Sequence, residues 1–422
     1  MKKAPSKNAF LFVLVTVSLD MIGFGLIIPV LPSLLKELTG MGAAEVVVWG
    51  GAITTTYALM NFLASPLLGN LSDRYGRRPV LLASIATLGI DFLIMGLANT
   101  LYLLFIGRAL AGISSATFST ANAYIADTTT PENRGKAFGM IGAAFGIGFV
   151  LGPALGGILG DIHTRLPFFA AAGLSGLNFL YGWFVLPESL AKEDRRPFNI
   201  QRANPFGAFR HFTRLPNIAW FLICIGLFNF AHIVYPSTWN FHGEIRYGWG
   251  PDEIGYSLAA VGIGAAIVQA GLVGRFIRRL GELNTALFGL CISLLALVGF
   301  AFADTWQWAY AVILLSSLGG VTGPALNAIM SQETPKNAQG ELHGAVASIQ
   351  SLGLIFGPIV MTQTLHHFSK PEAAIDFPGA AFGLSAIIVA LALLVFWAAT
   401  RQRHRQQRAK IETEPQMSTK EA

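Results

Sequence analysis

Apolar residues run through the chain in stretches of about twenty, separated by short polar loops, and twelve such stretches can be marked. They fall at 8–32, 46–68, 79–98, 101–125, 137–160, 166–186, 217–240, 254–275, 283–303, 306–330, 343–366 and 377–400. About twenty apolar residues cross roughly 30 Å of hydrocarbon as a helix. Lipid admits only helices or closed barrels, because the backbone must bond internally. These runs are too long and too evenly apolar for barrel strands. The pattern predicts an all-α integral membrane protein of twelve transmembrane helices. The first run begins like a signal peptide, but it has no small-residue cleavage site and stays apolar past Asp20 to Pro29, so it reads as a retained span.

Composition narrows this further. Charged residues are 12% of the 422, where soluble chains carry about 25%, and the mean hydropathy is +0.55. Too little polar surface is left to coat a water-soluble globule, and disordered, collagenous and disulfide-rich classes are excluded with it. Cys224 and Cys291 both lie inside apolar runs and read as core hydrophobes, neither a disulfide nor a metal pair. The adjacent His366 and His367 are isolated, so no metal site is expected.

The net charge of +6 is informative through its placement. Of 29 Lys and Arg, 24 fall on one side of the alternating loops, four on the other, and Arg108 lies within a span. The positive-inside rule then puts both termini in the cytosol of a multi-pass cell-membrane protein and leaves no reason to invoke nucleic acid. No G-x-x-x-x-G-K-[ST] occurs, so no P-loop binds ATP, and an ion gradient or downhill flow must drive any transport without a cofactor.

The longest connection, 187–216, is dense in charge (Glu188, Lys192, Glu193, Asp194, Arg195, Arg196) and reads as a solvated linker. It divides a first six-helix bundle (1–186) from a second (217–400), with a basic cytosolic tail at 401–422. The halves repeat. Thr130-Pro131-Glu132-Asn133 with Gly135 and Gly139 returns as Thr334-Pro335-Lys336-Asn337 with Gly340 and Gly344, and Gly148, Gly152 and Pro153 return as Gly353, Gly357 and Pro358. A duplicated six-helix unit about an axis along the membrane normal is the plan of major facilitator transporters, with the substrate site near the midplane.

Three motifs carry candidate chemistry. Between spans two and three, Gly69-Asn-Leu-Ser-Asp73-Arg74-Tyr-Gly76-Arg77-Arg78 resembles the major facilitator signature G-x-L-x-D-R-x-G-R-[RK]. Its arginines alone would serve as topology signals; the glycines and Asp73 add tight turns and a breakable ion pair, which suits a gate. The matching stretch of the second half, Gly271 to Glu282, keeps basic residues but lacks the Asp. In span five, Gly148, Gly152, Pro153, Gly156 and Gly157 give G-x-x-x-G-P-x-x-G-G, which permits close packing and a bend and resembles the superfamily's antiporter motif.

Asp20, Asp91 and Arg108 are the ionisable residues inside spans, where a charge costs about 2.5–3.5 kcal/mol or more. Asp91 lies eight residues before Asn99 and Arg108 eight after Thr100, so the hairpin sets them at similar depth. Two acids for one Arg suit a proton site; a fixed pair tying helices together is the alternative. The second half offers neutral groups instead: Asn229, His232, Tyr235, Trp239, Gln269, Asn327 and Gln350, with Asn61, Asn122 and Asn178 in the first. Sparse donors among aromatics suit an amphipathic organic ligand, though each could equally be a helix–helix hydrogen bond.

Taken with Leu19-Asp20, the run Gly25-Leu26-Ile27-x-Pro29, Tyr57-Ala58-Leu59-Met60, Gly107-Arg108 and Ala123-Tyr124-Ile125-Ala126-Asp127, the chain resembles the tetracycline/proton antiporters of the drug:H⁺ antiporter branch nearly end to end. That resemblance implies a monomeric bacterial inner-membrane exporter of small amphipathic compounds. It assigns proton coupling to Asp20, Asp91 and Arg108, and a cytosolic gate to Asp73, Arg77 and Asp127. One departure stands out: the histidine that such antiporters carry in span eight, four residues before Gln-Ala, is here Ala265. A metabolite permease on the same fold therefore remains the second reading.

Overall fold

The computed structural model describes residues 7–115, 117–129, 131–199, 218–335 and 338–413, and the regular elements among them are helical. The expected repeat at 334–337 and the linker beyond 199 fall partly outside these residues.

The first half comprises α1 (Lys7–Ile27), α2 (Leu31–Thr39), α3 (Ala43–Tyr75), α4 (Arg77–Leu97), α5 (Leu101–Ser114), α6 (Thr117–Thr128), α7 (Pro131–Ile162) and α8 (Leu166–Val185). The second comprises α9 (Ala219–His232), α10 (Val234–Tyr247), α11 (Pro251–Ile267), α12 (Val273–Phe302), α13 (Trp306–Leu318), α14 (Thr322–Glu333), α15 (Gln339–Ser369) and α16 (Ala380–Thr413). All twelve apolar stretches are helical. Among the described residues, ten continuous helices are long and apolar enough to cross a membrane. One of these, Pro251–Phe302, holds two of the expected spans, bent where Gly281 adopts φ 76°, and the stretch 101–125 is shared between α5 and α6. Span two extends to 43–75 rather than 46–68, its last turns carrying the polar loop motif as helix.

Packing follows the repeat. Within the halves, α1 lies on α7, α3 on α5 and α4 on α8; correspondingly α9 and α10 lie on α15, α11 on α13 and α12 on α16. Between the halves, α7 packs on α11 and α3 on α15, a pairing that exchanges with itself under two-fold symmetry. Loop punctuation repeats as well. Gly76 and Gly281 both take positive φ (108° and 76°), where an L side chain is strained. Gly40 and Gly248 both end a helix left-handed at φ 69°. Two residues on, the Gly42 and Gly250 N–H groups donate to Glu45 and Glu253 at 2.9 and 2.7 Å, satisfying the starts of α3 and α11.

The linker departs from expectation. Residues 187–199 dock on the 69–78 loop rather than lying free in solvent: Arg196 N–H donates to the Asp73 carbonyl at 3.1 Å, and Asn70 bonds the Asn199 carbonyl at 2.6 Å. The reason is the start of α4, whose first N–H groups have no intrahelical partner. Glu188 accepts from the Arg77 and Arg78 N–H at 2.8 and 3.3 Å, a carboxylate at the positive end of a helix.

Candidate functional site

A cavity of about 960 Å³ lies between the halves, lined from ten spans. The contacts that join the halves cluster at the end away from the termini. There Lys36 on α2 pairs with Glu244 on α10, Asn240 Nδ2 donates to the Ile28 carbonyl at 2.9 Å, and His366 Nδ1 donates to the Ala44 carbonyl at 2.8 Å. Lys36 and Glu244 sit at equivalent places in the two halves, each four residues before its left-handed glycine. The span-five glycines close the same end. A Cβ on Gly148, Gly152 or Gly156 would fall 2.6, 2.8 and 2.3 Å from atoms of α1, and Pro153 itself packs on Gly25. On Gly157 it would fall 2.6 Å from Pro251 of α11. Toward the termini, by contrast, a Cβ on Gly69, Gly139, Gly142, Gly146, Gly274, Gly323 or Gly340 would meet nothing within 4 Å. Among the described residues, the contacts between the halves therefore gather at the far end, and the cavity extends toward the end bearing the termini.

Asp91 and Arg108 meet in an ion pair at the first-half wall, where Asp91 is fully buried and Arg108 is 7% exposed and lines the cavity. Gly107 makes this possible, since a Cβ there would stand 2.7 Å from Asp91 Oδ1. The pair is only partly satisfied: among the described residues, Asp91 Oδ1 and Arg108 Nε have no hydrogen-bond partner. Tyr57 has its ring 6.0 Å from the guanidinium and is within electrostatic reach of Arg108, Asp91 and Asp20 alike. Asp20 is likewise buried, on α1. The arrangement can exchange a proton against an Arg contact, because a carboxylate that gains or loses a cationic neighbour changes its proton affinity.

At the termini-bearing end, Arg77 Nη1 bonds Asp73 at 2.6 Å and Ser72 at 3.2 Å, and its Nε reaches Asp127 at 3.2 Å. Ser189 of the linker also donates to Asp127, at 3.3 Å. Gly76 must lack a side chain, since a Cβ would lie 2.1 Å from Glu188 Oε2. Arg78 turns outward to the Trp183 carbonyl at 2.7 Å. Arg74 stands apart from this network, exposed with its guanidinium 5.1 Å from the Tyr75 ring. The second half repeats the place with other chemistry: Glu282 follows Gly281 as Arg77 follows Gly76, and accepts from Gln332 at 2.8 Å, while Glu333 pairs with Arg403 at 2.7 Å.

Of the expected cavity residues, Asn61, Asn229, His232, Tyr235, Trp239 and Gln269 line the cavity. The others lie elsewhere. Asn178 accepts from the Thr16 hydroxyl at 3.0 Å, a buried helix–helix bond. Gln350 is exposed, about a quarter-turn from the stripe Gly344, Ala347, Ser348 and Ser351 that faces the cavity. Asn122 and Asn327, on α6 and α14, are not in its wall. Lining residues outside the expected set include Tyr57, Ser237 and Ser293, and nothing in the sequence singled out the two serines.

Known proteins place this geometry. The model of the Major Facilitator Superfamily matches residues 13–358 and 248–420. The chain is 41% identical to the class C tetracycline resistance protein of Escherichia coli over 85% of its own length and 89% of the relative's. To the multidrug resistance protein 1 of Bacillus subtilis it is 31% identical, over 84% and 89%. Among solved structures it superposes on the nucleoside transporter NupG with TM-score 0.76 at 16% identity, covering 93% of this chain and 99% of that one. The human organic anion transporter MFSD10 gives TM-score 0.67 at 21% identity, over 93% and 100%. The chain belongs to the Major Facilitator Superfamily.

Proposed function

We propose that the chain is a proton-coupled secondary transporter that exports amphipathic drug-like compounds, tetracyclines among them, from the bacterial cytoplasm by alternating access. The observation that carries this reading is the half-satisfied Asp91–Arg108 pair on the wall of a cavity large enough for such a compound. Relatives named for tetracycline and multidrug resistance support the substrate class. Twelve spans with both termini in the cytosol accord with the Lys and Arg placement, and the cavity then opens to the cytosol, where an exporter loads. Asp20, Asp91 and Arg108 couple the proton; the Arg77 cluster with Asp73 and Asp127 is the cytosolic gate; the span-five glycines bear the outer seal. The transporter works as a monomer without resident cofactor. One proton entering at 100 mV supplies about 2.3 kcal/mol. At one-to-one exchange this sustains roughly a 40- to 50-fold gradient of a neutral compound.

The test is pH-gradient quenching in inverted vesicles holding the protein, challenged with a panel that includes tetracyclines. Proton efflux on adding a compound is expected. Silence across the panel with inserted, folded protein would contradict it. A metabolite permease draws on one observation, that Ala265 lines the cavity where the antiporters carry histidine. Growth on an external metabolite that is lost with the gene would favour it.

A further inference from the structure

The barrier that closes the cavity at its far end is thin, and a hydrogen bond between the halves crosses it. Ile28 and Asn240 line the central cavity. The next residue of span one, Pro29, and the residue one turn further along span seven, Glu244, line a second pocket of about 630 Å³ beyond the barrier. Between the two spaces, Asn240 Nδ2 donates to the Ile28 carbonyl at 2.9 Å.

Span one cannot supply that carbonyl with its helical donor. The N–H would come from residue 32, which is Pro32 and has none, and the chain tightens instead to a 3₁₀ turn over Ile28–Val30. The donor comes from the other half, and its place there is informative. Spans one and seven repeat at an offset of 208, the separation of Lys36 from Glu244, and the same offset carries Pro32 onto Asn240. One copy of the duplicated unit lacks a donor at the position where the other copy supplies one. Asn240 is 4% exposed, and its carboxamide is fixed, because Oδ1 accepts from the Phe241 N–H at 3.0 Å. The Phe241 ring fills the slot left by Gly50 of span two, where a Cβ would lie 2.3 Å from it. Bond and ring together tie α10 to the first half.

We propose that the Asn240–Ile28 bond is the latch of the exit gate, the contact that must break for the cavity to open into the outer pocket. Parting the far ends of α1 and α10 leaves a carbonyl and a carboxamide that incoming water must satisfy. The latch acts through the span-one backbone rather than through the compound, so Asn240 is a positioning residue: it biases which side the transporter faces without selecting what is carried. The inference rests on the alternating-access reading above and deepens it.

Double electron–electron resonance on full-length protein in nanodiscs tests this. Spin labels are placed at Thr100→Cys and Thr305→Cys, exposed positions in far-end loops of the two halves, with Cys291→Ser removing the exposed native thiol. Asn240→Leu keeps the size and removes the donor; Asn240→Ala removes the donor with less demand on packing. The ratio of outer-open to outer-closed distances is expected to rise about fivefold in Asn240→Leu, the worth of one neutral hydrogen bond, and at least about twofold in Asn240→Ala, where water can enter. Pro32→Ala returns an N–H to the Ile28 carbonyl, so in that background Asn240→Leu should shift the ratio by less than about twofold. Unchanged ratios in both Asn240 variants, or the same shift in both backgrounds, overturn the latch while leaving the exporter reading intact. A single outer distance in the wild type, unchanged by tetracycline and by pH, overturns alternating access and the latch with it.

Discussion

The two halves of this molecule share a folding plan and divide its chemistry unequally. The first half carries Asp20, Asp91 and Arg108 on helices that run without a break through those residues. The second half has no acid or base other than histidine within a full span, yet its helices are irregular around the cavity: a break at Ile233, a widened turn at Val268–Leu272 beside Gln269, and a tightened one at Gly319–Val321. A buried charge is costly enough that its surroundings must be rigid and otherwise satisfied. A surface that meets a ligand benefits from freed backbone groups and spare donors, which the cavity itself makes tolerable. On the proposed function, the same duplicated unit specialises one copy for ions and the other for shape and hydrogen bonding.

The largest effect should come from breaking the ionic side. Arg108→Ala leaves Asp91 buried without its cation and should destabilise the fold by about 3–5 kcal/mol, read as reduced thermal stability in detergent. No single polar substitution on the second-half wall should approach that loss. Next comes the contrast between the two ends of span five. Gly156→Ala puts a Cβ 2.3 Å from the Leu26 backbone oxygen, and overpacking of this kind costs about 1–3 kcal/mol; Gly142→Ala, facing open space, should be close to neutral by the same melting assay. At the termini-bearing end, Arg77→Ala should slow transport in vesicles several-fold, whereas Glu282→Ala, its positional counterpart, should change it little, because among the described residues the Glu282 side chain hydrogen-bonds the neutral Gln332 and feels Arg403 only through space. The smallest effect belongs to the half-exposed Lys36–Glu244 pair, worth less than about 1 kcal/mol. Lys36→Glu should favour the outward-open form in cross-linking experiments, and the double exchange with Glu244→Lys should restore wild-type behaviour.

Much of this was legible in the sequence, and the limits have physical causes. Apolar runs of membrane length declare themselves, and the mirrored spacing of Asp91 and Arg108 about Asn99-Thr100 foretold that the two would meet. Helix rotation is harder to read in a span that is apolar all round, since no amphipathic stripe says which face is inward. For that reason Asn178 and Gln350 looked like cavity groups, whereas one is bonded to Thr16 and the other is exposed. Glu188 looked like part of a solvated linker because its hydrogen bonds come from backbone N–H groups, those opening α4 among them, while Arg195 stands 3.9 Å away.

The central claim, that the first half moves the proton and the second half reads the substrate, is tested most directly on one variant. Asp91→Asn in nanodiscs would be given tetracycline while bound ligand and released protons are measured together. Binding within about threefold of wild type with no proton release is the expected result. Loss of binding in step with the proton, or release that persists undiminished, would contradict the division of labour.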